Sequence, residues 1–126
     1  MRTLAASILL LAGVALCLLA APVNVSGTWS GNMTADTGAT VDIEFQLKQV
    51  GDEVTGAAGP AGAVERIYDA TIQGDHLKFS VGQDPNPVWK FDLTVSNKEM
   101  QGRGEGKRGG QDLGRTTVNM ALQQSR

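Results

Sequence analysis

Few side chains in this sequence have the makings of a reaction centre. His76 is the one histidine and Cys17 the one cysteine among 126 residues, which excludes any metal site built from two imidazoles or from a cluster of thiolates. His76, Ser80 and a nearby aspartate are the residue types of a nucleophilic triad, in which imidazole takes the hydroxyl proton and a carboxylate orients the ring. His76 follows the turn pair Gly74-Asp75, however, and its alternation with Leu77 puts it on the wet side of a strand. A solvated imidazole is expected there, not a general base. The sequence therefore reads as non-enzymatic, with no catalytic residues, metal or cofactor.

A second constellation points to binding. Arg66 and Tyr68 share the parity of Ala70 and Ile72. If that parity faces inward, a guanidinium stands beside a phenol near the start of its strand and so near a barrel mouth, placed to hold a carboxylate head group while an apolar interior takes the tail. Trp29, Trp89 and Phe91 lie on the apolar faces of their own segments and complete the expected ligand-binding set.

Charge directs the chain to no polyanion. Thirteen acidic against eleven basic residues give a net charge of −2, whereas a domain that grips phosphate backbones carries a concentrated positive excess. Gly106-Lys107-Arg108-Gly109-Gly110 has the look of an RGG segment, but no aromatic residue is interleaved for base stacking. Nucleic acid is not an expected partner.

Residues 1–21 read as a signal peptide. Arg2 is followed by an uncharged apolar run from Leu4 and by small residues at Ala20-Ala21, the order of a charged, an apolar and a cleavage region. Export to a secreted or periplasmic location follows, without stable membrane insertion once the leader is cleaved. A lipid anchor on Cys17, after Val14-Ala15-Leu16, is the alternative. An uncleaved apolar anchor is a third version, and each puts residues 22–126 outside the cytoplasm as a single domain.

The rest of the chain must position the binding residues, and its pattern is strand throughout. Val25, Gly27, Trp29, Gly31 and Met33 alternate with polar residues; so do Val41, Ile43, Phe45 and Leu47, then Leu77, Phe79 and Val81, then Trp89, Phe91, Leu93 and Val95, and finally Thr116, Val118, Met120 and Leu122. Period two with one apolar face means half-buried β-strands. Gly51-Asp52, Gly74-Asp75 and Asn97-Lys98 separate such runs and suit two-residue hairpin loops, whose positive φ favours glycine and asparagine. They recur every 23 residues, at 51, 74 and 97, and Phe45, Tyr68 and Phe91 keep the same step. Three repeated hairpins, with one strand before and one after, make eight strands. Short links between neighbours favour an all-β, eight-stranded antiparallel up-and-down barrel over a Greek-key sandwich. Val54, Gly56 and Ala58 on one strand, and Met100, Gly102, Gly104 and Gly106 on another, lack bulk on the inward face. Such glycines serve either to bend a strand or to leave a ligand cavity.

Gly27-Thr28-Trp29 on the first strand resembles the Gly-x-Trp element that opens the barrels of the calycin group, which includes lipocalins and avidins. The chain is also similar to short exported bacterial lipocalin-like domains with repeated Gly-Asp hairpins. The resemblance implies a lipocalin-like barrel and an arginine packed on Trp29, with Arg115 and Arg126 as candidates; it implies no activity. The expected function is the binding of a small apolar or amphipathic ligand in the interior or mouth. The alternative is a protein-interaction module with a filled barrel, of the kind that inhibits secreted proteases, although such inhibitors use an N-terminal trunk and only Pro22 to Asn24 stand before the first strand here.

Overall fold

The computed structural model of the chain describes residues 23–123. The leader, Cys17 and Arg126 lie outside the described residues. Eight strands follow one another: β1 (Gly27–Ala35), β2 (Thr40–Val50), β3 (Glu53–Pro60), β4 (Glu65–Gln73), β5 (His76–Val81), β6 (Val88–Ser96), β7 (Glu99–Arg108) and β8 (Gln111–Leu122). Each pairs antiparallel with its neighbour, and β1 also pairs with β8, so the sheet is a closed up-and-down barrel. Closure leaves no open strand edge to recruit another chain.

The barrel has two unlike ends. The Gly51-Asp52, Gly74-Asp75 and Asn97-Lys98 turns join β2 to β3, β4 to β5 and β6 to β7 at one of them, the turn end. Residues 36–39, 61–64, 82–87 and 109–110 connect the strands at the other, the loop end. The segment before β1 seals the turn end. Val25 is fully buried, its N–H donates to Gln49 Oε1 at 2.9 Å and its carbonyl accepts the Trp29 indole N–H at 3.0 Å. Trp29 is itself fully buried, and pairing its one polar atom removes the penalty for enclosing an indole.

Above that plug the interior is packed with side chains. Phe45, Phe79 and Phe91 form a cluster with ring centroids 5.2–5.5 Å apart, inside the range in which aromatic pairs attract beyond simple burial. Ile43, Leu47, Leu77, Leu93, Met100, Val118 and Met120 fill the space around them. Gly102 on β7 admits the β6 backbone, with the Asp92 carbonyl oxygen 2.0 Å from a notional β-carbon, whereas Gly104 and Gly106 are seats for rings. A β-carbon on Gly104 would stand 3.0 Å from the Phe91 ring, and one on Gly106 would stand 2.8 Å from the Trp89 ring. Glycine is used at both positions to admit an aromatic from the adjacent strand, not to keep a hollow.

Candidate functional site

The residues expected to bind a ligand fall into two groups on opposite sides of the wall. Trp29 and Phe91 are built into the core, and Trp89 is a half-buried inward residue at the loop end, laid on Gly106. Arg66 and Tyr68 do not face inward. Arg66 is exposed and Tyr68 is 37% exposed, while Ile67 between them is buried.

The cause of this reversal is a β-bulge. Tyr68 pairs with Ser80 and Thr71 with Lys78, so Asp69 and Ala70 together oppose Phe79. Asp69 has φ 54°, a left-handed conformation that aspartate tolerates better than most residues. The extra residue flips the alternation: Ile67 points in before the bulge, and Ala70 and Ile72 pack on the core after it. An inward guanidinium to hold a carboxylate head group therefore has no basis. Tyr68 instead pins the connection between β5 and β6, donating its hydroxyl proton to the Gly82 carbonyl at 2.8 Å. Replacing Tyr68 by phenylalanine is expected to cost about 1 kcal/mol in chemical denaturation, and to speed amide hydrogen exchange across residues 82–87 more than elsewhere.

Arg115 does not pack on Trp29 either. It lies on the outer wall towards the loop end, with Nε 3.4 Å from Glu105 Oε2, whereas Trp29 belongs to the turn end. His76 is exposed beside Asp75 at 3.5 Å. It stands four residues from Ser80 along β5, about 13 Å at the usual rise per residue, so these two do not form a nucleophile–base pair.

Concave surfaces lie on the outer face, around the loop end and, beside Val23, Gly51 and Gly74, at the turn end. A hollow of about 290 Å³ is bounded by Val88, Lys90, Glu105, Lys107, Asp84, Gly109 and Gly110. Val88 supplies its apolar floor. The 82–87 connection reaches across to the β7–β8 turn, where Asp84 Oδ1 accepts the Gly109 N–H at 3.4 Å. Both acids here are engaged, Asp84 by that backbone group and Glu105 by Arg115, while Lys90 and Lys107 have no acid within ion-pair distance among the described residues. The hollow thus pairs an apolar base with two ammonium groups that no carboxylate contacts, while Asp84 and Glu105 keep their charge at its edge. A longer groove of about 440 Å³ continues down the outer face along β5, β6 and β7, sharing Lys90 and Glu105 with it.

None of these lining residues stood out in the sequence as ligand contacts. Asp84-Pro85-Asn86-Pro87 reads only as a turn and Lys107 only as part of a glycine-rich strand, because what joins them is the distance across β6. Their one sequence signal is the two acidic–basic pairs that the alternation places outward, Lys90 with Asp92 and Glu105 with Lys107.

No known protein family matches the chain, and no curated protein does. Solved structures do resemble it. EF1p2_mFAP2b, bound to DFHBI, is 15% identical over 80% of this chain and 94% of its own, with a TM-score of 0.55. A redesigned beta barrel, b11L5F_LGL, is 14% identical over 79% of this chain and 92% of its own, with a TM-score of 0.53. At such identities the likeness is one of fold, and the fold it supports is that of a small closed β-barrel.

Proposed function

We propose that this chain is an exported, non-enzymatic binding barrel of the calycin type that takes one small amphipathic ligand at its loop end. The observation that carries this reading is the 290 Å³ hollow with an apolar floor at Val88 and the unpaired Lys90 and Lys107 at its rim. Its volume is near the lower bound for small-molecule sites and suits a compact apolar body with a negative head group, held by charge-assisted contacts. The solved barrel that carries DFHBI supports the idea that a barrel of this shape serves a small molecule. Export is supported by Arg2 and the apolar run that follows it.

Mass spectrometry of material co-purifying with the exported protein tests the reading. An amphipathic anion is expected with the unaltered chain and with Lys48→Ala, a change on β2 on the outer wall, and is expected to be lost from Val88→Asp. Equal retention by Val88→Asp, or no retained species and no binding across a fatty and aromatic carboxylate panel, overturns it.

A second reading, an interaction module working through its loops, is favoured by the filled interior together with Val41 and Leu113, each 44% exposed near the loop end. It predicts binding that Val41→Asp abolishes and Val88→Asp leaves intact.

A further inference from the structure

The groove along β5, β6 and β7 contains one group that the loop-end hollow lacks. Ser80 lies on the outward parity of β5, opposite Tyr68 on β4 and Lys90 on β6, and is only 7% exposed. Ser80 lines the groove, and its hydroxyl makes no hydrogen bond to another described residue. Buried hydroxyls are normally satisfied, and this one opens onto an accessible surface where a ligand oxygen can satisfy it.

Three cations and three acids surround it. The groove is lined by Lys78, Lys90 and Arg103 and by Asp69, Asp92 and Glu105. Lys78 lies 4.0 Å from Asp92, and Glu105 is taken by Arg115 at 3.4 Å. Lys90 and Arg103 have no acid within ion-pair distance among the described residues, although Lys90 stands opposite Glu105 and Arg103 opposite Asp92 in the β6–β7 register. Lys90 faces Glu105 across β6 and β7, and Arg103 is two residues before Glu105, which makes Lys90 and Arg103 diagonal neighbours on one face, within reach of a shared small ion. Asp69 is carried to the groove edge by the β-bulge.

The geometry points to an oxyanion site on the outer wall, in which Ser80 Oγ donates to a phosphate or carboxylate oxygen while Lys90 and Arg103 neutralise its charge. A guanidinium and an ammonium flanking a hydroxyl donor are the usual elements of such recognition. The site uses neither Val88 nor the 82–87 connection, and Lys90 is the one binding group it shares with the loop-end hollow.

Titration with inorganic phosphate and, separately, with acetate, followed by backbone amide NMR, tests it. Saturable shifts are expected at Ser80, Lys90 and Arg103, and phosphate binding tighter than acetate marks a phosphorylated ligand while the reverse marks a carboxylate. Ser80→Ala, which removes only the oxygen, is expected to weaken binding about tenfold, the effect of one charge-assisted hydrogen bond. Arg103→Gln is expected to weaken it at least as much, with the amide spectrum elsewhere unchanged. Linear, unsaturable shifts with both anions, or a Ser80→Ala variant that binds as tightly as the unaltered chain, overturn the proposal. Val88→Ala, which trims the apolar floor of the loop-end hollow without adding charge, is expected to leave phosphate binding intact, which separates failure here from failure at the loop end.

Discussion

Replacing Gly31 by alanine is expected to lower the stability of the barrel by about 3 kcal/mol or more. A β-carbon there would lie 1.9 Å from the Asn119 carbonyl oxygen and 2.8 Å from Met120 Cα. Both atoms are backbone, so relief requires β1 and β8 to separate, and this pair is the seam that closes the barrel. A loss of that size is a large part of the roughly 5–15 kcal/mol that holds a typical domain folded. Gly56 is constrained twice over, by φ 141° and by the Gln46 carbonyl oxygen 1.9 Å from its notional β-carbon, and is expected to behave similarly. The control is Gly38→Ala in the β1–β2 connection. That position has φ 97° and open space around it, so its cost is the left-handed backbone alone, about 1–2 kcal/mol. Urea midpoints read by tryptophan fluorescence separate the cases. A Gly31→Ala variant no less stable than Gly38→Ala means that the seam does not depend on this close approach.

The same glycines show where the sequence is readable and where it is not. Alternation on β1, β2, β6 and β8 gives the strand count, the inward faces and the closed barrel, because an apolar face must be buried and period two has only two phases. Three turn pairs spaced evenly give the hairpins. On β4 the phase changes midway, and the repeat that aligns Tyr68 with Phe45 and Phe91 carries the wrong parity across the change. The clue is arithmetic: Ile67 and Ile72 are both apolar and an odd number of residues apart, so both face the core only if one extra residue intervenes. Asp69-Ala70 supplies it, but a short acid beside alanine has no distinctive signature as a bulge. The glycines of β7 are ambiguous for another reason. A missing side chain does not state what occupies its space, and that Phe91 and Trp89 do so depends on packing across two strands. The lining of the outer groove is harder still, since Ser80, Lys90 and Arg103 come together only through the register of β5, β6 and β7.

Truncating Phe91 to alanine is expected to turn the filled barrel into a hollow one. The ring touches Phe45 and Phe79 and sits over Gly104. Its loss costs about 3–5 kcal/mol, the usual range for a buried phenylalanine. Collapse into the space is hindered on both sides. Gly104 has no side chain to advance, and Phe45 and Phe79 are held by their own edge-to-face contact at 5.2 Å. Thr116, the nearest hydroxyl, is already committed to the Gly104 carbonyl at 3.2 Å, so the new space is apolar and takes an apolar guest in preference to water. Benzene is the probe. At about ten times its dissociation constant it should restore about 1.4 kcal/mol to Phe91→Ala and leave the unaltered chain unmoved. If benzene fails to stabilise the variant, the wall has closed over the gap and the barrel is more plastic than its β7 glycines imply. If benzene stabilises the unaltered chain as well, the interior already holds room for a guest, and the ligand assigned to the loop end belongs inside.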